Sequence, residues 1–164
     1  MNLQQLKGKI RPLPLFLIVV LLIGAIITII WLSSEKLRPE EEVALRFVEA
    51  AYVHHDLEKL RPLVSEDSNI NISVYKNDTF SALPGKVWVG YRETFDFKYV
   101  IVFIPETLTS SVNLVEFTIG KHDNKILHEE SDGSKSFNDF EEFQTTEFWQ
   151  RRGYKFEWKE AELH

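Results

Sequence analysis

Residues 13–32 read LPLFLIVVLLIGAIITIIWL, 20 positions without a single charge. No other feature constrains this chain as tightly. At ~1.5 Å rise per residue such a helix is about 30 Å long, the thickness of a bilayer's hydrocarbon core. Pro14 falls in the first turn, where a missing N–H costs nothing. Trp31 stands at the far end, where an indole suits the lipid–water interface. A soluble helix that is apolar all round needs a large protein to bury it, and this chain has 164 residues. The expectation is a transmembrane helix over 13–32, with the lipid bilayer as the first partner.

The flanks orient it. Lys7, Lys9 and Arg11 give residues 1–12 a charge of +3 with no acid. The remaining 16 of the 19 basic residues meet 25 acids in residues 33–164, a balance of −9. Positive flanks stay in the cytoplasm. Residues 1–12 are therefore expected to form a cytoplasmic segment, with everything after the span outside the cell membrane. The run ends Trp31-Leu32-Ser33-Ser34 without the small-residue spacing of a cleavage site, so it reads as an uncleaved signal anchor. Gly24 and Thr28 form a small-xxx-small pair through which two anchors could meet as a homo-oligomer. The acidic balance argues against nucleic-acid binding. The absence of cysteine removes disulfides, thiolate metal ligands, thiol nucleophiles and a lipidated anchor. It also favours a bacterial source.

After the span, residues 33–39 are a polar linker and residues 40–164 form the outer domain. Pro39 suits the first position of a helix, and Glu40, Glu41 and Glu42 suit its positive end. Val43, Ala44, Phe47, Val48, Ala51 and Tyr52 recur at three- and four-residue spacing and make one apolar stripe. Asp56 is placed to cap a second short helix, Leu57–Leu60, which Pro62 limits. Beyond Ser65 the pattern turns extended. Strands are expected at Ile70–Tyr75, Lys86–Arg92, Phe97–Ile104, Val112–Ile119 and Tyr154–Lys159, with a further one at Asn124–Glu130. Residues 136–153 read as a helical start near Asp139 followed by Thr145–Gln150, paired as a hairpin with Tyr154–Lys159. A helix capped by Ser136 and stopping at Gly153 is the competing reading.

Helices followed by an antiparallel meander make an α+β domain, with N-terminal helices packed on a curved antiparallel sheet. The opening EEVALRFVEAAYVHHDLEKLRPLVSED and the closing strand GYKFEWKEAEL resemble the nuclear-transport-factor-2-like, or cystatin-like, superfamily. That resemblance implies a cone between helix and sheet, which enzymes of the superfamily use as an apolar pocket. It equally implies non-enzymatic relatives tethered outside a membrane, including assembly components of secretion and conjugation machines.

No chemical motif decides between these. His54-His55-Asp56 matches no metal-binding spacing, since adjacent helical side chains diverge by about 100°. His122-Asp123 and His128-Glu129-Glu130 flank a turn and show no third ligand. G-x-S-x-G, S-x-x-K and a glycine-rich phosphate loop are all missing. No cofactor, metal or catalytic residue is expected. Aromatics are the remaining lead: Tyr52, Trp88, Tyr91, Tyr99 and Trp158 would line a ligand pocket in the implied cone, with Asp96 or His55 at its mouth. Filling the core is their ordinary alternative. The run Asp139, Glu141 and Glu142 among Phe137, Phe140 and Phe143 offers either a partner surface or a solvated edge. The reading that results is a membrane-anchored, extracytoplasmic protein-interaction or assembly domain without catalysis. A small-ligand or enzymatic pocket protein is the alternative.

Overall fold

The computed structural model describes residues 18–23, 36–77, 79–109, 112–132 and 137–164. Of the expected span, Ile18–Ile23 is helical, and the rest of 13–32 lies outside the described residues, as do segment 1–12 and Ser136. Among the described residues no helix is long and apolar enough to cross a membrane. The chain divides into two units between Lys36 and Leu37, and the second is an α+β domain.

That domain opens with helix α1, Pro39–Val48, which continues as a π-helical turn, Glu49–Val53. Pro39 is in the first turn, as its fixed φ requires. Asp56 caps helix α2, Leu57–Leu60, by accepting from the N–H groups of Glu58 at 3.0 Å and Lys59 at 3.2 Å. These bonds hold the Asp56 carboxyl below its ordinary pKa, the Lys59 N–H contributing most. Arg61–Leu63 ends the pair as a 3₁₀ turn containing Pro62.

Five strands follow: β1 Gly85–Glu93, β2 Lys98–Phe103, β3 Leu114–Ile119, β4 Ile126–Asp132 and β5 Glu157–Leu163. They form one antiparallel sheet in the order β4-β3-β2-β1-β5. Between β4 and β5 lie helices α3, Phe140–Gln144, and α4, Glu147–Arg151.

Two expected elements are corrected. Ile70–Tyr75 is not a strand; Ile72–Lys76 winds as a 3₁₀ helix because Asn71 Oδ1 accepts from the Ser73 N–H and offers the chain a local turn. Thr145–Gln150 is not the first arm of a hairpin. Asp139 and Thr146 each cap a short helix, accepting from Glu142 at 2.8 Å and Trp149 at 3.1 Å. The helical start near Asp139 is thus observed, as two helices. The closing strand also begins later than Tyr154, because Gly153–Lys155 is a 3₁₀ turn, and it runs on to Leu163 to pair with β1.

Side-chain alternation gives the sheet two apolar faces. One carries Val87, Val89 and Tyr91, then Val100 and Val102, then Val115, Phe117 and Ile119, and α1 covers it with Ala44, Phe47 and Val48. The other carries Trp88, Ile101, Phe103, Leu114 and Trp158, and Phe137, Phe140, Phe143 and Trp149 cover it. Here Trp88 stacks on Phe140 with centroids 5.0 Å apart, and Phe103 stacks on Phe143 at 4.8 Å.

Buried ion pairs tie α1 to the sheet. Glu40 and Glu41, expected at the positive end of the first helix, are both buried. Glu40 accepts from Lys98, which also reaches Asn124 Oδ1 at 3.0 Å. Glu41 accepts from Lys159 at 2.8 Å and from the Arg38 N–H at 2.5 Å. Burial pushes the Glu40 carboxyl up, but the hydrogen bond from Lys98, aided by its own backbone N–H and nearby cations, outweighs it and leaves the pKa lowered.

Gly90 permits the second face to close. It lies opposite Trp158 in the β1–β5 register, and a Cβ there would sit 3.0 Å from three atoms of the indole. The ring cannot retreat: its Nε1–H donates to the Gly153 carbonyl at 2.8 Å, and Phe140, Phe143 and Trp149 surround it. Gly90→Ala is expected to lower stability by about 1–3 kcal/mol through overpacking. Urea unfolding followed by tryptophan fluorescence checks this, and an unchanged midpoint would contradict it.

Candidate functional site

The aromatic cap covers only part of the second face, and the register determines what is left open. One cross-strand row runs Arg92, Tyr99, Thr118, His128 across β1 to β4. The next runs Trp158, Gly90, Ile101, Glu116, Glu130. The second row is aromatic toward β5 and becomes charged toward β4, and the first brings Arg92 and His128 to either side of Tyr99 and Thr118. Over the charged end lies a cavity of about 370 Å³ lined by Arg92, Tyr99, Glu116, His128, Glu130 and Arg152, among others. A neighbouring cavity of about 530 Å³, lined by Leu114, Phe143, Phe148 and Arg151 among others, shares Glu116 and Arg152 with it.

The Glu116–Arg152 ion pair therefore stands between the two cavities. Arg152 reaches it from the end of α4, its guanidinium lying 4.4 Å over the Phe148 ring. Burial raises the Glu116 pKa, and the charges of Glu130, its cross-strand neighbour, and Asp132 add to that. Arg152 offsets part of the rise without cancelling it. A carboxyl so placed holds its proton closer to neutrality than a solvated one. With Arg92 and His128 beside it, the cavity can accept a ligand carrying both a donor and a negative group. No cysteine exists in the chain to serve as a nucleophile. Among the described residues no three His, Asp or Glu side chains converge as metal ligands would.

The aromatics singled out in the sequence do not share this site. Tyr52 and Tyr91 belong to the face under α1; Trp88, Tyr99 and Trp158 belong to the opposite face. Tyr52 is fully buried and donates to Glu129 Oε1 at 3.1 Å. Tyr91 lies beneath the Arg38 guanidinium, 4.2 Å from its ring centroid, and burial with the nearby Glu93 pushes its hydroxyl up to about 12. Trp88 and Trp158 are inside the aromatic cap, and Tyr99 alone lines the cavity. Asp96 is exposed in the β1–β2 turn. His55 takes a left-handed φ of 52°, and its Nδ1 pairs with the Tyr75 carbonyl at 3.0 Å.

The space between α1 and the sheet is filled by rings. Phe47 meets Tyr75 at 5.5 Å and Phe117 at 5.2 Å, and Tyr52 meets Tyr75 at 5.6 Å, all edge to face. Glu129 closes this layer from β4, accepting from Tyr75 at 2.5 Å as well as from Tyr52. Burial and the Glu129 charge raise both tyrosine pKa values, so both hydroxyls stay protonated and donate. Sequence reasoning missed this triad and the Glu116–Arg152 pair. The alternation of His128, Glu129 and Glu130 was the available signal, since it sends Glu129 to the face opposite its neighbours.

The chain matches no protein-family model, no curated protein and no solved structure at a significant level.

Glu116 supplies a pH test with a definite sign. Its folded pKa lies above the unfolded value, so its contribution to stability is complete below the unfolded pKa and is lost as pH rises through the folded one. The stability of Glu116→Gln relative to the parent chain is therefore expected to improve from pH 4 to pH 7 (about three units spanning an ordinary carboxyl titration). Urea midpoints at both pH values check this. Parallel behaviour of the two chains would contradict it.

Proposed function

We propose that this chain is a single-pass, membrane-anchored bacterial protein whose outer α+β domain, similar to the nuclear-transport-factor-2-like superfamily, is a non-catalytic interaction or assembly module. Residues 1–12 lie in the cytoplasm, 13–32 span the bilayer, 33–39 link, and 40–164 form the module outside. The filled layer between α1 and the sheet carries this reading. Phe47 and Tyr52 are fully buried, Phe117 is 2% exposed and Tyr75 4%, so rings occupy the volume where enzymes of the resembled fold hold substrate.

The surface offered to a partner is the β4 edge and the charged rows beside it. β4 is an edge strand, and its alternate residues His128, Glu130 and Asp132 are exposed. Charges on an edge discourage indiscriminate strand pairing and select a partner of complementary charge. A second reading, a small-ligand protein, is favoured by one observation: the raised Glu116 carboxyl beside Arg92 and Arg152 in the cavity.

Photo-cross-linking of the full chain in native membranes separates them. Glu130→benzoylphenylalanine is expected to give a discrete protein adduct, whereas Lys86→benzoylphenylalanine at the far end of β1 gives none. Monomer alone at position 130, under conditions that capture known membrane complexes, would contradict the interaction module.

A further inference from the structure

We infer that the cavity over Arg92, Tyr99, Thr118 and Glu130 binds a di- or tripeptide by its two free termini, the carboxylate on Arg92 and the ammonium on Glu116 and Glu130. This rests on the small-ligand reading above and needs neither the anchor nor a partner at the β4 edge. The cavity, about 370 Å³, has the size of a small-molecule site. The polar side chains that line it are otherwise unengaged. Among the described residues Arg92, Tyr99, Thr118, His128 and Glu130 make no side-chain hydrogen bond or ion pair. Arg92, Tyr99 and Thr118 are nevertheless half-buried. Glu93 and Glu157, the acids that border Arg92 on its other side, are taken by Lys121 and Arg38. The Arg92 guanidinium is left to the cavity.

The opposite end of the cavity is short of positive charge. Glu116 and Glu130 are direct cross-strand partners, an arrangement of like charges that costs stability. Arg152 pairs with Glu116 and leaves Glu130 unpaired. The Glu116 carboxyl stays raised, by burial first and then by the charges of Glu130 and Asp132. An ammonium between Glu116 and Glu130 supplies the missing cation. A simple anion in this cavity meets two carboxylates, and a simple cation meets Arg92 and Arg152. One molecule carrying both charges satisfies both ends, and Tyr99 and Ile101 give its middle an apolar floor.

The strand spacing sets the length of that molecule. Side chains stand roughly perpendicular to a sheet, so their charged ends keep about the separation of the backbones. Arg92 lies two strands from Glu116 and three from Glu130, with both acids displaced by two residues along the strands. At ~4.8 Å per strand and ~3.3 Å per residue these diagonals are about 12 and 16 Å. A charge-assisted hydrogen bond of ~2.8 Å at each end leaves about 6–10 Å for the ligand. Two or three residues at ~3.3–3.6 Å each cover that span. A single amino acid, with both charges on one Cα, does not.

Isothermal titration calorimetry of the full chain in dodecyl maltoside at neutral pH tests this with trialanine as the probe. Trialanine is expected to bind one to one. Alanine, N-acetyl-trialanine and trialanine amide should each bind about tenfold more weakly or worse, since each forfeits one charged contact. Arg92→Gln should weaken trialanine to a similar degree. Glu130→Gln should weaken trialanine yet leave N-acetyl-trialanine unchanged, because the acetylated peptide has no ammonium to lose; a misfolded variant would weaken both. Alanine or a blocked peptide binding as tightly as trialanine would overturn the inference, as would trialanine binding that ignores Arg92→Gln. Glutarate bound through Arg92 while trialanine is refused would overturn it too, with the small-ligand reading left standing. Refusal of every one of these probes would overturn both.

Discussion

The three inner strands carry apolar side chains on both faces, and the rest of the domain follows from covering them. β1, β2 and β3 place valines, Phe117 and Ile119 on one side and Trp88, Ile101, Phe103 and Leu114 on the other. Each face exposed to water would forfeit about 25 cal/mol for every Å² of apolar surface. α1 can cover only one. The second requires a separate layer, supplied by the aromatic segment from Phe137 to Trp149, and its closest approach depends on Gly90 leaving room for Trp158. A sheet covered on both sides, in a domain this small, has little interior left for a ligand.

That economy relocates the candidate site. Under α1 the layer is occupied by Phe47, Tyr52, Tyr75 and Phe117, and Glu129 satisfies the two buried hydroxyls at its rim. The aromatic cap on the other face stops short of β4, and the cross-strand rows there turn to Glu116, Thr118, His128 and Glu130. Glu116 and Arg152 remain half in water, so the cavity they share is a surface feature with a perturbed carboxyl. Such an arrangement suits recognition by complementary charge more readily than chemistry that must exclude water.

Much of this was legible in the chain. The α1 stripe, the Asp56 cap and the five strands, the last of them begun three residues early, follow from spacing and from Pro, Asp and Gly placement. What escaped did so for identifiable reasons. Thr145, Thr146, Phe148 and Trp149 favour strands as residue types, but the Thr146 hydroxyl caps a helix and the rings are needed against Phe143 and Trp158. Ile72 and Val74 are likewise strand formers, overruled by the local bond from Asn71. The burial of Glu40 and Glu41 does not show in the sequence because their partners Lys98 and Lys159 are distant along the chain. The pocket aromatics were separated by a parity of one: Trp88 and Tyr91 differ by three positions in β1, which sends them to opposite faces.

Three bases precede an uncharged stretch of 20 residues and an acidic domain follows it, and the proposed orientation rests on that order. Cysteine accessibility in intact bacterial cells tests this most directly, since the parent chain has no cysteine of its own. A membrane-impermeant maleimide is expected to label Lys86→Cys in whole cells, and Gln4→Cys only after the membrane is permeabilised. Labelling of Gln4→Cys in whole cells with Lys86→Cys protected, or protection of both, would contradict an outward-facing domain.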